Sequence, residues 1–194
     1  MHTYHEQDYT NLLPLIRLTA TEIMNTVAKF RLTFSQERNR EVEWGIRLPM
    51  FVDAFYAFIL EKGKIPSQEE SYNFYIQYNK DFFQNLNRHD LMSGIKARVY
   101  RTYPSLVRDV YFNKYIEERL NSKCSVIYST KLDIAEGIDL MIKYKDKSYG
   151  FCFFTETRIG YVGRAKKVYR HTPFDNVKYI EMPMEFKGSV KVGD

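Results

Sequence analysis

The strongest constraint on this chain is a change of hydrophobic period near Lys123. Before it, apolar residues recur at helical spacing. Beyond it, three short β-branched and aromatic runs, CSVIYS, IDLMIKYK and KSYGFCFF, follow one another across polar turns. The basic stretch from Thr157 to His171 returns to helical character, and VKYIEMP reads as one further strand. The pattern predicts an α/β protein: helix, three strands, helix, strand, preceded by a helical N-terminal half. The expected organisation is a helical region over 1–103 packed on an α/β core over 104–194, with no repeat or linker between them.

Local signals place the helices. Thr21 is the expected cap of a helix presenting Ile23, Val27 and Phe30 on one side. Leu48 to Lys62 forms a second helix, stopped by Gly63 with Pro66 beyond. Ser67 and Glu70 make a capping box that opens SQEESYNFYIQYNKDFFQNL, whose Tyr75, Tyr78 and Phe82 fall at packing positions. Pro104 is expected in the first turn of PSLVRDVYFNKYIEERLNS. The second and third strands form a hairpin with its turn at Asp146 and Lys147.

Composition excludes several classes. At 194 residues with 44% hydrophobic and 16% aromatic content, the chain can bury a core and lacks the signature of disorder. The longest apolar run, Leu48 to Leu60, contains Asp53 and is shorter than the roughly 20 residues a bilayer requires, so no membrane partner is expected. The N-terminal residues show no basic segment followed by an apolar one, which predicts a cytoplasmic address. Cys124 and Cys152 sit in apolar strand-like runs without metal-ligand spacing, and the four histidines form no cluster. No P-loop, nucleophile elbow or dinucleotide fingerprint occurs.

The element order, with Gly137-Ile138-Asp139 opening the second strand, resembles the core of the PD-(D/E)XK superfamily of restriction-endonuclease-like folds. The resemblance covers residues 104–194 and implies an α-β-β-β-α-β core. It also implies a Mg²⁺-dependent nuclease site: an Asp at the start of the second core strand, a Glu or Asp on the third, and a Lys two positions on that helps activate water. Strand residues two apart face the same side, so a hairpin can bring all three to one metal.

Asp139 matches the first carboxylate. With the turn at Asp146-Lys147, Asp139 faces Phe154 across the hairpin and shares its side with Cys152 and Glu156. Cys152 and Phe154 then occupy the places of the second carboxylate and the lysine, and hydrocarbon cannot hold hydrated Mg²⁺. An alternative alignment uses Glu156 as the second carboxylate and metal ligand beside Asp139, with Arg158 in the lysine position. Arg stays protonated and does not simply replace lysine. Glu117 or Glu118 on the preceding helix could add an acid, Glu117 being preferred, and Asp133 is a further candidate. Each has an ordinary reading beside the catalytic one: Asp139 as a turn acid, Glu117 and Glu118 as solvated helix charges, Glu156 as a strand-end charge and Cys152 as a small core residue.

Charge supplies the other signal. Between Thr157 and Phe174 lie Arg158, Arg164, Lys166, Lys167 and Arg170, with His171 and no acid, and these five charges equal the whole chain's net +5. On a helix Arg164, Lys167 and His171 would line one side and could track phosphates. The sequence therefore points first to a DNA-binding protein with a degenerate restriction-endonuclease-like core. The alternatives are a Mg²⁺-dependent deoxyribonuclease using Asp139, Glu156 and Glu117, and an interaction module pairing as a homodimer or with another protein through the aromatic helical half.

Overall fold

The computed structural model describes residues 3–33, 37–168 and 171–184, the side chains of residues 155, 159, 164 and 166–168 excepted. It is a mixed α/β protein with a helical half and a four-stranded mixed sheet. It divides into two compact units, one of residues 17–111 and one of residues 3–16 with 112–184.

In the helical unit, α1 (Ala20–Val27) is capped by Thr19 rather than Thr21. A capping box needs an acid three positions after the cap, and Glu22 stands there relative to Thr19, which holds its carboxyl below the usual range. Helix α2 (Phe51–Lys62) starts after Pro49 and ends at Gly63, whose φ of 64° suits glycine and whose N–H donates to the Ile59 carbonyl. The Ser67–Glu70 capping box opens α3 (Gln68–Tyr78) as expected. A break at Asn79 then separates α3 from α4 (Lys80–Leu86), so the single expected helix is two. Tyr75 is buried and donates to the Pro49 carbonyl, and Phe82 is half-buried, but Tyr78 is exposed and stacks on Phe74.

Helix α5 (Met92–Leu120) contains Pro104 instead of opening there. Proline lacks an N–H, so the carbonyl four residues back, on Tyr100, loses its helical donor. Gln68 replaces it: its Nε2 donates to the Tyr100 carbonyl at 3.1 Å and to the Thr33 carbonyl at 3.0 Å. This side-chain substitute comes from another helix and is invisible to a local reading, in which proline marks a start. Just before Pro104, Tyr103 is fully buried with its hydroxyl on the Pro66 carbonyl at 2.6 Å.

The other unit holds the sheet. Strands β1 (Ser125–Ile127), β2 (Leu140–Tyr144), β3 (Lys147–Thr155) and β4 (Val177–Met184) lie in the order β1-β2-β3-β4. The first two pairings are antiparallel and β3–β4 is parallel. Helix α6 (Arg158–Val168) makes the crossover. Phe153 packs edge-on against Phe112 of α5 and Phe154 edge-on against Tyr161 of α6. Successive strand residues face opposite ways, so β3 is covered on both sides. That is why its sequence is a continuous apolar run rather than an alternation.

The N-terminal residues complete this unit. Asn11 accepts from the Tyr128 N–H and donates to the Val126 carbonyl, so its side chain pairs with the backbone at the β1 edge. Asn176 does the same for Tyr4, accepting from its N–H at 2.7 Å and donating to its carbonyl at 2.8 Å. Tyr4, Tyr9 and Phe174 then form one ring cluster beside Ile127, Ile138 and Val177. Burial pushes the Tyr4 hydroxyl well above the usual tyrosine range.

Candidate functional site

The β2–β3 hairpin turns at Lys145-Asp146, one position earlier than expected, with Lys145 at φ 55°. Tyr144 pairs with Lys147 and Leu140 with Phe151, which brings Asp139 to the level of Cys152 and not Phe154. The shift is two residues along β3, so the face is preserved and the partner changes. Lys145 explains the difference: a two-residue hairpin needs positive φ, and the sequence offers neither Gly nor Asn to mark where.

Before β2, residues Leu132–Glu136 form a π-helical turn that ends at Gly137. Gly137 has φ 68°, and a Cβ there would come within 2.9 Å of the His171 ring, so only glycine fits. His171 Nδ1 lies 2.5 Å from the Ala135 carbonyl. A carbonyl only accepts, so Nδ1 carries the proton and donates. His171 therefore lies beyond α6 and not on its face with Arg164 and Lys167, and it braces the loop leading to Asp139. Asp133, in the same π-helical turn, accepts from the Tyr128 hydroxyl at 3.3 Å.

Asp139 is 6% exposed. Its N–H donates to the Phe151 carbonyl, its Oδ2 accepts from the Phe153 N–H at 2.6 Å, and its own carbonyl accepts from Asn113 Nδ2 at 3.3 Å. The carboxylate thus caps β3 backbone beyond the end of the β2 ladder. Beside it, the fully buried Asn113 keeps an Oδ1 with no donor among the described residues. Cys152, 1% exposed, donates its thiol to the Gly137 carbonyl. Phe154 is buried against Tyr161.

The other candidate acids are placed differently. Glu117 is buried, and its Oε2 accepts from Lys114 Nζ at 2.5 Å. Lys114 also donates to the carbonyls of Leu13 and Ile16. Sequence reading did not single out Lys114, although its i,i+3 spacing from Glu117 was available. Glu118 is exposed. Glu156 is exposed just past the end of β3, its backbone N–H donating to the Met184 carbonyl. Among the described residues, no group of three or more His, Cys, Asp or Glu side chains is arranged to hold a metal ion.

Thr157 caps α6, its hydroxyl accepting from the Gly160 N–H at 3.1 Å. At the described positions Arg158, Tyr161, Val162, Gly163 and Ala165, α6 is exposed or, at Gly160, half-buried. The side chains of Arg164, Lys166 and Lys167 and the whole of Arg170 lie outside the described residues. No helix among the described residues is long and apolar enough to cross a membrane. No protein-family model, curated protein or solved structure matches the chain.

A structural role for Asp139 has a measurable consequence. Asp139→Ala strands the buried Phe153 N–H and should cost about 1–3 kcal/mol, whereas Asp139→Asn keeps an acceptor and should lose less. Urea unfolding of the two variants beside wild type checks this. Equal, negligible losses would remove the capping role.

Proposed function

We propose that this chain is a DNA-binding protein built on a restriction-endonuclease-like core whose metal site is degenerate. The observation that carries the degenerate reading is the placement of Asp139. One of its carboxylate oxygens accepts from the Phe153 amide, next to a thiol and a phenyl ring where the family's carboxylate and lysine would stand. Mg²⁺ asks for oxygen ligands in near-octahedral array. Glu117 is held by Lys114, and Glu156 lies on the exposed residue after β3. These residues do not fit the metal.

Supporting the fold assignment is the order α5-β1-β2-β3-α6-β4, with an antiparallel hairpin and a parallel fourth strand joined by a helical crossover. Supporting the DNA partner is the acid-free basic stretch on and after α6, exposed at most of its described positions. Side chains that neutralise phosphates release counterions, so affinity falls with salt at about 0.9 per contact on a log–log plot.

The test is fluorescence anisotropy with a labelled duplex across salt concentrations. Arg164→Glu with Lys167→Glu should weaken binding and flatten the slope by about 2. An unchanged slope and affinity would remove α6 from the interface. Failure to bind any nucleic acid would leave the protein-interaction reading as the better one.

A further inference from the structure

The helical unit carries a feature the proposed DNA surface does not use. Trp44, the only tryptophan in the chain, is 82% exposed. It does not sit on a loose loop. Residues Glu41–Gly45 form a π-helical turn, closed by the Ile46 N–H on the Glu41 carbonyl at 2.9 Å. Asn39 Oδ1 caps the turn, accepting from the N–H groups of Glu41 and Val42. Arg98 donates to the Val42 carbonyl and Arg101 to the Glu43 carboxylate. Val42 is fully buried in the core of this unit, so the turn is anchored by one residue and projects Trp44 two residues later. Single-turn π segments are frequent at functional positions.

Charge distinguishes the partner. Trp44 borders an open hollow of about 450 Å³ shared with Arg40, Glu41 and Gly45. Glu41 is held by a two-pronged contact from Arg88 at 2.9 and 3.0 Å, and Glu43 by Arg101, so both acids of the turn face cations supplied from elsewhere. Arg40 and Arg47 flank the turn and are exposed. An exposed indole on an anchored turn, beside the exposed Arg40 guanidinium, matches a nucleobase with its phosphate, because every base has a stacking face and single strands leave it open. A paired base inside a duplex offers no such face without being flipped out.

We infer that Trp44, with Arg40 beside it, is a stacking site for an unpaired nucleotide of single-stranded nucleic acid. This goes beyond duplex contact by α6 and rests on the nucleic-acid reading only for the class of partner. The single tryptophan lets the full wild-type chain report on the site directly. Its emission is titrated with an oligo-dT and, separately, with a fully paired duplex of the same length, while anisotropy of the labelled oligonucleotides measures binding.

Oligo-dT should quench the emission in step with binding, and the duplex should not. Trp44→Ala should lower oligo-dT affinity about fivefold or more and leave duplex affinity unchanged, with Trp44→Phe retaining most of it. Oligo-dT binding that leaves emission unchanged, or a Trp44→Ala affinity within twofold of wild type, overturns the inference while the duplex reading stands on its own salt slope. No binding of either oligonucleotide overturns both. An emission shift that depends on protein concentration without DNA would mean that a second copy covers Trp44, which also overturns it.

Discussion

Lys114→Met should destabilise the sheet unit by about 3–5 kcal/mol, while Lys114→Met combined with Glu117→Leu should recover only part of that loss. The two charges are buried together, their side chains 10% and 11% exposed, and removing one leaves an uncompensated ion out of water. Replacing both by apolar groups of similar size removes the desolvation cost along with the attraction, so the pair is worth little net although each half depends on the other. Lys114 has a second duty, since it also donates to the Leu13 and Ile16 carbonyls and so ties α5 to the N-terminal segment, and the double variant leaves those carbonyls without that donor. Urea midpoints of the two variants measure the effect. A single variant within about 1 kcal/mol of wild type would show that the pair is solvated and that Glu117 is available for other chemistry.

Phe153→Ala should cost about 3–5 kcal/mol, the range for truncating a buried aromatic. The residue is 5% exposed and its ring centroid stands 4.9 Å from that of Phe112, edge to face, so the substitution removes both the buried area and the ring pair joining α5 to the sheet. Phe153→Leu, which refills most of the volume, should lose far less. Thermal or urea unfolding of both checks this. Equal losses would point away from cavity formation and toward disruption of the Asp139–Phe153 backbone contact.

Sequence and structure agree where a local rule has a local cause. The Ser67–Glu70 box and the Gly63 stop are set by hydrogen bonds within one turn, and both are where the spacing predicts. The four strands also lie where the runs rich in β-branched and aromatic residues put them. Pro104 misleads because its missing donor is supplied by Gln68, from another helix. The hairpin register slips by two because Lys145 adopts a backbone conformation nothing in its identity announces. Asn11 and Asn176, which bind residues 3–16 to the sheet unit, look like ordinary polar residues until the backbone groups they satisfy are seen.

The candidate residues stand out in the sequence by their chemical type, whereas their hydrogen bonds do not. Asp139 stands out beside Gly137 in the sequence, and its face is correct even in the shifted register. That its carboxylate caps the Phe153 amide depends on a tertiary distance. The basic stretch is plain in composition, yet His171 belongs to the brace under Gly137 and not to the helix face, because α6 ends at Val168.

The central claim, DNA binding without cutting, is tested most directly on one gel. Supercoiled plasmid is incubated with rising concentrations of wild-type protein and of Asp139→Ala in Mg²⁺ or Mn²⁺, then resolved before and after protein is removed. The expected result is a retarded plasmid that returns intact to the supercoiled position in every lane. Nicked or linear product that requires the metal and disappears in Asp139→Ala would contradict it and make the chain a working nuclease.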